Sequence, residues 1–99
     1  PGKDAQGRAI AWTDVPPLSG VITCNIGDML MRWSDDRLLS NLHRVRMPKP
    51  EEYLGPRYSI AFFCQANEDA VLAGPGGKYE PMTAWDYMQM RLGANFAKR

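Results

Sequence analysis

Apolar positions follow the strand period through most of the chain and the helical period only near its end, which predicts a β-rich chain with one terminal helix. Residues 20–26 (Gly-Val-Ile-Thr-Cys-Asn-Ile) are a β-branched run closed by Gly27 and Asp28, and predict a strand ending in a turn. Residues 28–33 are apolar enough to make a single helical turn, stopped by Ser34, Asp35 and Asp36. Between residues 38 and 47, Leu39, Asn41, His43, Val45 and Met47 share one strand face, and Leu38, Ser40, Leu42, Arg44 and Arg46 share the other. Neither face is purely apolar. Residues 48–56 carry three prolines and two glutamates and read as a loop. Residues 57–64 (Arg-Tyr-Ser-Ile-Ala-Phe-Phe-Cys) give the strongest strand pattern, with Tyr58, Ile60, Phe62 and Cys64 on one side and Arg57, Ser59, Ala61 and Phe63 on the other.

The helical period begins at Thr83. Asp86 sits three residues on as in a capping box, Met82 and Tyr87 are spaced as a hydrophobic staple, and Trp85, Met88, Leu92 and Phe96 form an apolar stripe. Arg91, Lys98 and Arg99 lie toward the negative end of this helix. At the other end, residues 1–19 are polar and turn-rich apart from Ala9-Ile10-Ala11-Trp12, and Pro16-Pro17 forbids helix, so a hairpin remnant followed by a stiff loop is expected. Gly74-Pro75-Gly76-Gly77 is a turn cluster and not a phosphate loop, since no Lys-Ser or Lys-Thr pair and no helix follow at the required spacing. Nine glycines and eight prolines in 99 residues exceed the usual roughly 12% share and agree with many turns and short elements.

Composition narrows the function classes. A length of 99 residues allows one domain and not two. Twelve basic and eleven acidic residues leave a net charge of +1, so nothing supports binding to nucleic acid. The longest apolar run falls far short of the roughly 20 residues of a membrane span. Cys24 and Cys64 lie in apolar strand-like runs and read as buried thiols of a cytoplasmic protein, with a disulfide as the alternative. The chain opens Pro1-Gly2-Lys3 without an initiator methionine, which suggests a piece of something longer.

Candidate chemistry is sparse. His43 is the single histidine, and its residue type fits either a satisfied strand position or a metal ligand. Arg57 and Ser59, two apart on a strand, put a guanidinium fork and a hydroxyl on one face, suited to a carboxylate; an edge-strand surface pair is the plainer reading.

Four segments occur together in one order: Asn25-Ile26-Gly27-Asp28, Arg32-Trp33-Ser34, Ser40-Asn41-Leu42-His43-Arg44-Val45 and Arg57-Tyr58-Ser59-Ile60-Ala61-Phe62-Phe63. Together they resemble the C-terminal half of the catalytic domain of an Fe(II)- and 2-oxoglutarate-dependent dioxygenase of the isopenicillin N synthase-like group. The likeness is strongest over residues 10–67, and residues 81–99 resemble that group's C-terminal helix. The resemblance implies a mainly β chain, a partial double-stranded β-helix (a cupin-like jelly roll) over residues 1–80 with a C-terminal α-helix packed on it over residues 81–99. It implies that His43 is the distal ligand of Fe(II), that Arg57 and Ser59 hold the far carboxylate of 2-oxoglutarate, and that residues 25–28 are a structural turn with Trp33 in the core.

The implied reaction uses O2 and 2-oxoglutarate as cosubstrates, releases succinate and CO2, and hydroxylates or desaturates a small molecule in a protein expected to be monomeric and cytoplasmic. The loop at 74–78 and the terminal helix are similar to those of fungal and plant-type small-molecule oxygenases. One departure matters. The His-x-Asp pair that supplies the family's other ligands is absent, because His43 is the only histidine, so the chain is expected to be an inactive fragment on its own. A non-catalytic β-sandwich binding module, and a family member in which Arg57 and Ser59 hold a different carboxylate, stand as alternatives.

Overall fold

The computed structural model describes residues 4, 6–8 and 10–97. Four short elements follow one another: α1 (Asp28–Trp33), β1 (Val71–Leu72), β2 (Met82–Thr83) and α2 (Ala84–Phe96). β1 and β2 are antiparallel, with Val71 opposite Thr83 and Leu72 opposite Met82. The pairing runs on into α2, where the Ala84 and Trp85 amides donate to the Ala70 and Glu68 carbonyls at 2.9 and 3.1 Å. β2 therefore feeds straight into the helix and turns its Ala84–Tyr87 side toward Leu72. Leu72 (1% exposed), Ala84 and Tyr87 form the core, with Met29, Ala66 and Met82 packed around them. Burying the Leu72 side chain contributes about 1.5–3 kcal/mol.

Both helices start and stop where local chemistry requires. The Thr83 hydroxyl accepts from the Asp86 amide at 3.1 Å, the N-cap bond expected of Thr83. Met82 packs against the cluster containing Tyr87, as a staple would. α1 begins at the extended Gly27 and ends at Ser34, after which Asp35 (φ 52°) and Asp36 (φ 62°) take the left-handed conformation and halt it. The turn cluster forms as expected, with the Gly77 amide donating to the Gly74 carbonyl at 3.2 Å.

Several expectations need correction. None of the three long strand patterns (20–26, 38–47 and 57–64) forms a ladder among the described residues. A strand is stable only when a neighbour satisfies its backbone groups and covers its apolar face. No such neighbour is present here, and Ile60 stands 99% exposed. The described residues thus carry two short strands and two helices. Cys24 and Cys64, expected to be buried, are free and exposed for the same reason. Trp33, at 36% exposed, lies outside the core cluster. The stripe of α2 is only partly covered: Met88 is half-buried and Trp85, Leu92 and Phe96 are exposed, while Ala84 and Tyr87 face the core. Arg91 is mid-helix and pairs with Asp28 at 2.7 Å instead of serving the helix end. Ala9, Lys98 and Arg99 lie outside the described residues.

At the other end, the hairpin remnant survives as one tight turn. The Asp4 amide donates to the Arg8 carbonyl and the Asp4 carboxylate takes the Gln6 and Arg8 amides, with Gly7 at φ 79°.

Candidate functional site

His43 is held from both sides along its own segment. Upstream, the Asn41 amide donates to the Ile26 carbonyl at 2.8 Å, and the Ile26 amide donates to Asn41 Oδ1 at 2.8 Å. The Ser40 amide points at Met31 Sδ at 3.3 Å. These contacts tie residues 40 and 41 to the start and middle of α1. Downstream, the Arg44 guanidinium lies 4.1 Å from the centre of the Trp12 ring. Arg46 then grips Glu52 with two nitrogens, at 2.9 and 3.1 Å, and closes the 48–56 loop. That pair pulls the Glu52 carboxyl below its ordinary range and pushes the Arg46 guanidinium above its own.

The imidazole itself is exposed, with Nδ1 2.9 Å from the Asn41 carbonyl oxygen. A carbonyl only accepts, so Nδ1 carries the proton of the neutral ring and Nε2 keeps a free lone pair. That is the tautomer a metal ligand binding through Nε2 requires. Arg57 and Ser59 are both exposed, and among the described residues no hydrogen bond or ion pair engages either. No hydrogen bond or ion pair joins His43 to Arg57 or Ser59. No group of three His, Cys, Asp or Glu side chains able to hold a metal exists among the described residues either. His43 alone therefore fits as one ligand of a metal site, and the remaining donors are not in the described set.

The comparisons decide the family. Residues 2–66 match the family model of the 2OG-Fe(II) oxygenase superfamily. This chain belongs to that superfamily. Among its relatives, a 2-oxoglutarate-Fe(II) type oxidoreductase of Emericella nidulans is 40% identical over 86 residues, covering 79% of this chain and 24% of the relative. A proline hydroxylase of Petromyces alliaceus is 42% identical over 82 residues, 72% of this chain and 26% of that protein. A homoarginine-6-hydroxylase of Oryza sativa subsp. japonica is 33% identical over 102 residues, 94% of this chain and 30% of that protein. The chain thus spans about a quarter of the length of the curated relatives it matches. No solved structure matches it. The superfamily implies a jelly-roll fold, with Fe(II), 2-oxoglutarate and O2 as cofactor and cosubstrates.

Two sets of residues escaped sequence reasoning. Asn41 was visible only as a member of a motif, and its side-chain bond to Ile26, fifteen residues away, leaves no local signal. Asp35 and Asp36 read merely as a helix stop, yet their carboxylates collect the 74–79 loop: Asp35 accepts from the Gly76 and Lys78 amides, and Asp36 from Lys78 Nζ and the Tyr79 hydroxyl. A Cβ added at Gly74 would collide with the Asp35 carboxylate, which explains a glycine there. Arg32 completes this region, donating to the Glu80 carbonyl at 3.0 Å with its guanidinium over the Tyr79 ring.

Proposed function

We propose that this chain is the C-terminal part of the catalytic domain of an Fe(II)- and 2-oxoglutarate-dependent dioxygenase that hydroxylates or desaturates a small molecule. In this reading residues 1–80 contribute to a double-stranded β-helix and residues 81–99 form the helix packed on it. The observation that carries it is the match of residues 2–66 to the superfamily, which spans His43, Arg57 and Ser59 in their motif order. The exposed faces around Ile60 and Phe62 support a larger domain, because a jelly roll covers such faces with strands of the facing sheet. The relatives' names as a proline hydroxylase and a homoarginine-6-hydroxylase support a small-molecule substrate. A cytoplasmic enzyme agrees with the two free thiols.

Each residue has a distinct role. His43 offers Nε2 to Fe(II), its ring oriented by the Asn41 carbonyl. Arg57, free of any acidic partner among the described residues, receives the far carboxylate of 2-oxoglutarate through two parallel N–H bonds, and the Ser59 hydroxyl adds a third. The bound iron supplies the redox chemistry that couples O2 reduction to loss of CO2 from the keto acid. Succinate release by the complete oxygenase tests the assignment: His43→Ala is expected to abolish it even at saturating 2-oxoglutarate, and unchanged turnover would exclude His43 as a ligand.

A further inference from the structure

The strongest unassigned feature is the chain of contacts that runs from α1 through Asn41 to His43. The Asn41 side chain and amide clasp both backbone groups of Ile26, and the Asn41 carbonyl meets His43 Nδ1 at 2.9 Å. Ile26 directly precedes Gly27, the N-cap of α1, so this clasp fastens the His43 segment to one of the regular elements present. The residues beyond it up to 64 form no ladder, so little else fixes the direction of the Asn41 carbonyl.

We infer that Asn41 is a positioning residue: by clasping Ile26 it aims its own carbonyl at His43 Nδ1, holds the imidazole in the Nδ1–H tautomer and presents Nε2 to the metal. This rests on the reading of His43 as an iron ligand. The clasp sets where the carbonyl lies, and the acceptor-only nature of that carbonyl sets which nitrogen bears the proton. Without the Asn41 side chain the Ile26 amide loses its partner and only the backbone half of the clasp remains, so the Asn41 carbonyl is held less firmly and the ring moves toward the mixture of tautomers of an unconstrained imidazole. Only the Nδ1–H fraction then binds through Nε2, and apparent affinity falls by the inverse of that fraction.

His43 is the single histidine, so its ring nitrogens can be read without ambiguity in the 99-residue chain. Long-range proton–nitrogen-15 correlation spectra, recorded above the imidazole titration range, are expected to show a predominantly Nδ1–H ring in the wild type. Asn41→Ala should shift the nitrogen resonances to those of a free imidazole mixture, and Asn41→Asp, which keeps an acceptor for the Ile26 amide, should restore the wild-type pattern. In the same samples, paramagnetic broadening of the His43 ring protons by Mn2+ is expected to need about three- to fivefold more metal in Asn41→Ala than in wild type. A mixed tautomer in the wild type, or a wild-type pattern in Asn41→Ala, overturns the inference. An equal Mn2+ requirement in Asn41→Ala and wild type also overturns it, whereas unchanged succinate release by the complete oxygenase carrying His43→Ala removes His43 as a ligand, and the positioning role falls with it.

Discussion

The Asp36 carboxylate accepts the Tyr79 hydroxyl at 2.6 Å across 43 residues of sequence, and the same oxygen takes Lys78 Nζ at 2.5 Å. This latch fastens the end of α1 to the loop that leads into β2 and α2. Asp36 reaches it because its backbone is left-handed, at φ 62°, which turns the side chain away from the helix axis. The Lys78 ammonium first, and then the Tyr79 hydroxyl, hold the Asp36 carboxyl below its ordinary value. The Asp36 carboxylate in turn raises both Lys78 and Tyr79.

The latch therefore stabilises the chain over a bounded pH range. For Asp36, depressed in the folded state, the contribution is present above the ordinary carboxyl range and is lost as pH falls through the lowered folded value. For Lys78 and Tyr79, raised in the folded state, it is present below their ordinary values and is lost as pH rises through the raised ones. Asp36→Asn is expected to lower Tm at neutral pH and to melt together with wild type under strongly acidic conditions. Thermal unfolding from pH 2 to pH 11 checks this, and a constant Tm difference across the acid range would remove Asp36 from the latch.

Stability is concentrated in one small kernel. Leu72→Ala deletes the most buried side chain among the described residues and is expected to destabilise the chain by about 2–5 kcal/mol, with loss of the α2 helical signal in circular dichroism. Ile60→Ala removes an equally apolar side chain that touches solvent and is expected to stay within about 0.5 kcal/mol of wild type in the same chain. A large effect of Ile60→Ala would mean that residues 57–64 pack against a partner face even at this length.

What was legible from sequence follows from where each element finds its hydrogen bonds. α1 and α2 lie where Gly27, Ser34 and Thr83 place them, because a helix satisfies its backbone within its own few turns and its caps are local. Residues 57–64 have the clearest strand pattern and no ladder, because period-two alternation states which face seeks burial without supplying the neighbouring strand. The candidate site inherits this split. His43, Arg57 and Ser59 are proposed from their motif order alone, whereas the Ile26–Asn41 clasp and the Asp36–Tyr79 latch join residues far apart in sequence and have no periodicity to announce them.

Metal binding by the 99-residue chain should be weak. One imidazole cannot chelate, and no three-donor group exists among the described residues. Anaerobic calorimetry with Fe(II) is expected to give a dissociation constant far above the order of 1 μM. Tighter binding would require Asp28 or Asp35 to complete a site with His43, although Asp28 is paired with Arg91 and Asp35 with the Gly76 amide.

Arg57 separates the two forms of the oxygenase reading. A guanidinium offers a keto acid's carboxylate two parallel bonds, and lysine keeps the charge but loses the planar fork. One charge-assisted bond is worth roughly 1.5–3 kcal/mol, which corresponds to about tenfold to a hundredfold in apparent affinity. In the complete oxygenase, Arg57→Lys is therefore expected to raise the KM for 2-oxoglutarate by that factor and to leave the KM of the primary substrate nearly unchanged. Ser59→Ala removes a neutral hydroxyl and should act in the same direction by about tenfold or less. Succinate release measured against each concentration in turn distinguishes the outcomes. If Arg57→Lys weakens the primary substrate and spares 2-oxoglutarate, Arg57 and Ser59 hold the substrate's own carboxylate and not that of the keto acid.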